Sequence, residues 1–378
     1  MKKLGIYIHI PFCAGKCLYC DFCSRTDCLP DMMLQYAGEA AGQMRVFSGA
    51  CAGRYTVDSV YFGGGTPTLM PLHGYEILLG SLYSSFSIAD DAEITAECNP
   101  ATADERYLGA LRTLGVNRLS IGAQSMDDGE LRSLGRLHTR EGFLGTFAAA
   151  RRAGFSDISV DLMFGIPGQS RQSWFNSLGE VCVLDPDHVS AYGLKLEEGT
   201  PLARMAAAGR VVLPNEDETA DMYESSVAIM EAAGLRQYEI SNFAKPGHEC
   251  RHNMKYWMCE EYLGIGIAAH SYFAGERFAC HRSLERYLAG EYTDPVSRVK
   301  ITPRELETEF VMLTMRTAAG LPADEYRTRF GTDPHEKYGG RFSGFVKAGY
   351  VITDGGGFRF TVRGMLVSSH ILAEVLDL

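Results

Sequence analysis

What this chain lacks narrows it first. It has no long apolar run: the first, Leu4 to Ile10, ends at Pro11, too brief for a spanning helix or a signal peptide. Positive charge is scarce and scattered. The 36 Lys plus Arg stand against 47 Asp plus Glu, a formal −11, and no basic cluster offers a groove for a phosphate backbone. Internal repeats beyond a βα rhythm are missing, as are low-complexity tracts. These absences set aside a membrane span and a nucleic-acid partner and predict a cytoplasmic chain. What is present, 46% hydrophobic and 22% charged residues over 378 positions, can bury a large core, in one barrel with an accessory domain.

Short β-rich runs recur with helix-compatible segments between them: Leu4 to Ile10, Ser59 to Phe62, Ala92 to Cys98, Arg118 to Gly122, Ser156 to Phe164 and His188 to Leu194. Six βα units fit, an α/β chain built as a partial (β/α)6 TIM-like barrel. Several of these strands run straight into Gly, Pro, Cys or Asn, which puts the chemically useful residues at strand C-terminal ends, where parallel barrels keep their sites. Residues 1–245 form this barrel in our reading. Residues 246–300 read as a functional loop, rich in Cys, His, Asn and aromatics to Phe273, followed by a connector. Residues 301–378 turn to helices and a hairpin through Asp354-Gly355-Gly356-Gly357, a small α+β C-terminal domain of winged-helix type.

Eleven cysteines is an odd number for a chain without an export signal, and a reducing compartment disfavours disulfides. Cys13, Cys17 and Cys20 follow the first strand as C-x3-C-x2-C. A structural zinc site wants four protein ligands, and Cys23 or Cys28 are available to complete one; a four-iron cluster on three cysteines leaves one iron open to a small molecule. Gly63-Gly64-Gly65-Thr66-Pro67-Thr68 after the second strand lets a ligand approach the backbone, or simply makes a tight βα turn. Glu97 ends the third strand, as a partner for an ammonium or a helix cap. Gln124 lies just past the fourth strand, Arg136 in the segment after it, and Asp161 inside an apolar fifth strand, where a carboxylate needs a partner.

With Tyr7-Ile8-His9-Ile10-Pro11-Phe12 leading into the cysteines and Leu18-Tyr19-Cys20-Asp21-Phe22 closing them, the sequence resembles the radical S-adenosylmethionine (SAM) superfamily. More narrowly it resembles the branch holding oxygen-independent coproporphyrinogen III oxidase and the HemW-type haem chaperones. The resemblance implies a [4Fe-4S] cluster on Cys13, Cys17 and Cys20 that passes one electron to the sulfonium of S-adenosyl-L-methionine. It implies Tyr7, Gly64 and Glu97 around that cofactor and Tyr19, Gly65, Thr66, Gln124, Arg136 and Asp161 lining the adjacent cavity. Residues 1–245 then correspond to the radical SAM partial barrel and 301–378 to an accessory domain like that of the oxidase.

Within the branch, the oxidase pattern C-x3-C-x2-C-x-C needs a cysteine where this chain has Phe22, and only six residues precede Tyr7 where the oxidase has a longer segment. His252-Asn253-Met254-Lys255-Tyr256-Trp257 resembles the H-N-x-x-Y-W motif of the haem-chaperone branch. Imidazole suits an axial position on haem iron and aromatics suit a porphyrin face, which nominates His252, Tyr256 and Trp257; a histidine bonding backbone in a loop is the plainer alternative. His9, His138 and His270 compete as haem ligands, and the glycine-rich run Gly264 to Ser271 is placed beside the adenosine. The resemblance therefore implies a protein that binds haem and passes it to an unidentified acceptor protein, membrane-associated or not. Its rivals are a coproporphyrinogen III dehydrogenase acting by oxidative decarboxylation, and anaerobic haem modification.

Overall fold

Along the first strand, β1 (Lys2–Ile10), Leu4, Ile6, Ile8 and Ile10 alternate with Gly5, Tyr7 and His9. The aliphatic set is fully buried, and each such side chain removed from water contributes about 1.5–3 kcal/mol. The same alternation runs through β2 (Tyr55–Gly64), β3 (Ile88–Cys98), β4 (Arg118–Gln124), β5 (Asp157–Phe164) and β6 (His188–Gly193). Between them lie α1 (Pro30–Cys51), α2 (Leu72–Ser85), α3 (Glu105–Thr113), α4 (Asp128–Ser133), α5 (Arg140–Arg152) and α6 (Arg171–Val183). Val60, Phe62, Ile94, Ala96, Leu119, Ile121, Val160 and Val189 join a core with helix residues such as Tyr36, Leu78, Leu108, Phe143 and Leu178. The other strand face is polar. Parallel pairing sets Tyr7 beside Tyr61, Ser59 beside Glu93, Glu97 beside Ser120, Gly122 beside Asp161 and Ser159 beside His188, so the barrel lumen is lined by hydroxyls, carboxylates and imidazoles.

The computed structural model describes residues 1–100 and 102–378. In it the six parallel strands are part of a twelve-stranded sheet. After α7 (Pro201–Ala207) and α8 (Glu216–Ala232), the antiparallel strands β7 (Arg236–Glu239) and β8 (Asn242–Ala244) extend the β6 edge. On the other edge, β9 (Tyr262–Ile265) pairs parallel to β1, followed by antiparallel β10 (His270–Phe273), β11 (Glu276–Ala279) and, past α10 (Leu284–Leu288), β12 (Val299–Lys300).

This corrects the reading of residues 246 to 273 as a loop. The H-N-x-x-Y-W segment is a helix, α9 (Arg251–Trp257), and the glycine-rich run is mostly strand and strand turn. Neither had a local signal. The helix lacks a capping side chain of its own; the Glu93 carboxylate of β3 accepts its first N–H groups, from Arg251 at 2.9 Å and His252 at 3.1 Å. Strands of three or four residues fall below any periodicity count.

The C-terminal region holds α11 (Pro303–Thr314), entered through a Thr302–Glu305 capping box, then α12 (Ala323–Phe330) and α13 (Pro334–Lys347). The hairpin of β13 (Val351–Asp354) and β14 (Gly357–Phe360) turns on Gly355 and Gly356, both at positive φ, and α14 (Val362–Leu366) and α15 (Ser368–Leu376) close the chain. No helix among the described residues is long and apolar enough to cross a membrane.

Candidate functional site

The cysteine loop leaves β1 at Pro11 and is held by backbone bonds: Cys13 N–H to the Arg25 carbonyl at 2.8 Å, Arg25 N–H to that of Pro11 at 2.7 Å and Leu18 N–H to that of Leu134 at 2.9 Å. Gly65 and Thr66 dock on the same loop, their N–H groups bonding the carbonyls of Ile10 and Phe12. A Cβ on Gly65 would sit 2.7 Å from the Phe12 carbonyl oxygen and 3.0 Å from Cys13 Sγ, so only glycine lets the second strand approach the thiols this closely.

Cys13, Cys17 and Cys20 are free, half-buried and line one cavity of about 400 Å3. Thr66 Oγ1 donates to Cys13 Sγ at 3.8 Å and Arg136 Nη1 to Cys17 Sγ at 3.5 Å. Burial pushes the Cys13 and Cys20 thiols above their ordinary range. Cys23 and Cys28 turn away: their thiols face the carbonyls of Arg282 and of Cys13 and Arg25. Among the described residues no group of three His, Cys, Asp or Glu side chains converges on a single ion. A fourth cysteine in the lining, Cys98, is buried with its thiol on the Asn99 carbonyl at 3.8 Å; the three thiols of one loop fit a polynuclear iron–sulfur cluster with one open iron better than tetrahedral zinc.

The same cavity gathers Tyr19, Gly64, Gly65, Thr66, Glu97, Gln124, Arg136 and Asp161, eight of the nine residues expected around S-adenosylmethionine. Glu97 accepts from Tyr61 OH and from Gly64 N–H, both at 3.1 Å, and is otherwise free to pair with a ligand ammonium. Burial, and then the charge of Asp161, push its carboxyl up to about 7. Asp161 accepts from Ser120 Oγ at 2.9 Å and is raised by burial. Arg136 donates to the Gly122 carbonyl at 2.8 Å and to Asn99, leaving its buried Nε without a partner among the described residues. Gln124 is held at φ 64°, a left-handed conformation that costs a non-glycine residue and aims the end of β4 at the cavity.

Tyr7, the ninth, lies behind Gly63 with its ring stacked on Tyr61 at 6.3 Å, and it faces a second cleft. Tyr61, Asn99, Ser120 and Tyr192 also line the cavity and went unnamed from sequence; the period-two alternation of the strands was the signal that could have found Tyr61, Ser120 and Tyr192.

The nominated haem histidine is elsewhere. His252 is 1% exposed and lies at the opposite, N-terminal end of the barrel, its ring stacked against Tyr61 at 5.4 Å. Nδ1 is bonded with Ser59 Oγ at 3.0 Å and Nε2 with Tyr256 OH at 2.9 Å, and burial pushes it down to about 3. Both nitrogens are spent, so in this conformation the imidazole does not fit an iron-ligating role. Two competitors are likewise engaged. His9 bonds the Cys23 carbonyl at 2.8 Å and Tyr7 OH at 3.1 Å, and His138 donates to the Ala123 carbonyl at 3.1 Å. His270 is exposed.

Residues 7–178 match the model of the Radical SAM superfamily, and residues 301–367 that of the HemN C-terminal domain. The chain is 32% identical to the Bacillus subtilis protein named heme chaperone HemW, over 98% of either chain. It is 35% identical to the Synechocystis protein of that name, over 85% of this chain and 80% of that one. The chain belongs to the HemW family. A solved structure of the Escherichia coli coproporphyrinogen III oxidase HemN superposes with a TM-score of 0.85 over 99% of this chain and 90% of that one, at 23% identity, which establishes a shared fold. As a HemW-family radical SAM protein, the chain places its cysteine trio where the strand ends of that partial barrel converge.

Proposed function

We propose that this chain is a cytoplasmic haem chaperone that binds haem and passes it to an acceptor protein, with a [4Fe-4S] cluster and S-adenosylmethionine at the barrel mouth. The observation that carries the reading is similarity over 98% of either chain to one protein named heme chaperone HemW and over most of either chain to another. Phe22 supports it from within the chain, because the position that is cysteine in the oxidase pattern carries a phenyl ring here. When bound, the cluster supplies one-electron reduction of the sulfonium.

The chain's own residues orient and shield. Glu97 takes the ammonium of the methionine moiety, the glycines of 63–65 let its backbone lie close, and Arg136 holds Cys17 and Asn99 in register. Asp161 and Gln124 line the farther wall. Tyr256 and Trp257 offer aromatic surface to the porphyrin, and His252 serves by fixing the Tyr256 hydroxyl.

Anaerobic incubation with dithionite, S-adenosylmethionine and either haem or coproporphyrinogen III, followed by mass spectrometry, tests this. Haem recovered unchanged and transferable to an apo-haemoprotein is the expected result. Stoichiometric protoporphyrinogen from coproporphyrinogen overturns it in favour of the decarboxylating enzyme, and an opened or altered haem ring in favour of haem modification.

A further inference from the structure

A second cleft, of about 370 Å3, opens on the β1–β9–β10 side of the barrel, and its lining includes Phe22, Cys23, Tyr256, Tyr262, His270 and Arg282. It collects groups that the rest of the fold leaves unused. His270 is exposed at the start of β10, and its ring forms no hydrogen bond among the described residues. Arg282 is exposed and forms no ion pair among them. Phe22 is 60% exposed, although phenyl rings ordinarily seek cover. The walls are aromatic, with Tyr256 and Tyr262 edge to face at 4.6 Å.

The rim is firmly set. His9 bonds the Cys23 carbonyl, the Cys23 thiol faces the Arg282 carbonyl, and Ala268 N–H bonds the His281 carbonyl at 3.0 Å, tying the His270 turn to the Arg282 segment. An accessible imidazole, a guanidinium that forms no ion pair among the described residues although the Asp21 carboxylate shares the cleft, and flat aromatic walls make one chemical request: a planar apolar ligand that carries a Lewis-acidic metal and a carboxylate.

We infer that this cleft is the seat of the haem, resting on the chaperone reading above. His270 is the axial ligand, Arg282 pairs with a propionate, and Tyr256, Tyr262 and Phe22 contact the porphyrin face. The assignment gives the H-N-x-x-Y-W segment a part that its buried histidine cannot play directly: His252 and Ser59 fix the hydroxyl of Tyr256, whose ring forms the cleft wall. Phe22 also lines the cofactor cavity, so a single ring divides cargo from cluster.

The test is haemin titration of the full, cluster-loaded chain, read by Soret absorption and low-temperature electron paramagnetic resonance. His270→Ala is expected to weaken binding about tenfold and to move the Soret band, with iron–sulfur content unchanged. Arg282→Ala is expected to weaken binding by less and to leave the Soret position alone; with haemin dimethyl ester, whose carboxylates are blocked, it should bind like the unmodified chain. Both residues are exposed, so neither change threatens folding. Equal affinity and identical spectra for the unmodified chain and both variants overturn the cleft and leave the chaperone reading standing. An unmodified chain that takes up no haemin overturns both.

Discussion

The two ends of the barrel lumen are built from the same kind of residue and do opposite things with it. At the floor, Glu93 is spent on the N-terminus of α9, and Lys255 reaches Asp58 at 2.7 Å and Glu260 at 3.0 Å. There His188 is held between Ser159 and Tyr238, both at 2.8 Å, and His252 between Ser59 and Tyr256. At the mouth, three thiols lie outside any disulfide with no more than one hydrogen bond donated to each, the Arg136 Nε has no partner among the described residues, and Glu97 keeps spare acceptor capacity over an open cavity. A polar lumen is therefore not itself a site. Groups whose bonds are completed by the protein are structure, and groups left short of bonds await a ligand.

The largest break in that contrast comes from Cys13, Cys17 and Cys20. Replacing all three with serine should abolish iron and sulfide uptake on anaerobic reconstitution, measured by metal analysis, while the thermal unfolding of the cluster-free chain stays close to that of the unmodified protein. Lys255→Met attacks the floor instead. It leaves Asp58 with only the exposed Lys3, at 3.7 Å, and should cost up to about 3 kcal/mol in denaturant unfolding without changing the mouth thiols.

Glu97 offers a comparison in pH. Its carboxyl, raised from 4.5 to about 7, holds a proton in the folded state that the unfolded chain has released. Its contribution is present below the unfolded value and is lost as pH rises through the folded one. The cluster-free chain should lose up to about 3 kcal/mol between pH 4.5 and 7 on this account, and Glu97→Gln should flatten that slope. Acceptance of an ammonium needs the ionised form, so affinity for S-adenosylmethionine should climb across the same interval; isothermal titration at pH 6 and 8 checks it.

His252→Ala should behave as a floor change, lowering stability by about 2 kcal/mol through two lost bonds and a cavity. A Soret shift as large as that of His270→Ala, without loss of stability, would contradict the division. Smallest is Arg251→Ala, which removes an exposed pair with Asp91 at 3.1 Å and should cost no more than about 1 kcal/mol.

Most of the mouth was legible because it is written locally. The six strand runs carry alternation; Cys13, Gly63 to Thr66, Glu97 and Gln124 sit within a few residues of a strand end, and Cys17 and Cys20 lie in the loop that follows β1. The floor was illegible because it is assembled across the chain. Glu93 caps a helix 158 residues away, and the strand that covers β1 is four residues long. His252 shows the same limit: the H-N-x-x-Y-W resemblance nominates it for iron, and only the distant Ser59 together with Tyr256 accounts for both its nitrogens. Tyr7, which the resemblance places by the cofactor, stands on the lumen face beside Tyr61 and also borders the second cleft.

The outer edge of β7 does not face water. Ile240 N–H bonds the Arg316 carbonyl and Ala318 N–H that of Tyr238, both at 2.9 Å, so the segment following α11 runs along the sheet as a seal. Residues 301–378 are therefore no detachable appendage. Expressing the barrel without them would bare a row of backbone donors and acceptors at one sheet margin, a template for intermolecular β-pairing and precipitation. Shortened forms of this chain should be designed to keep Arg316 to Ala318.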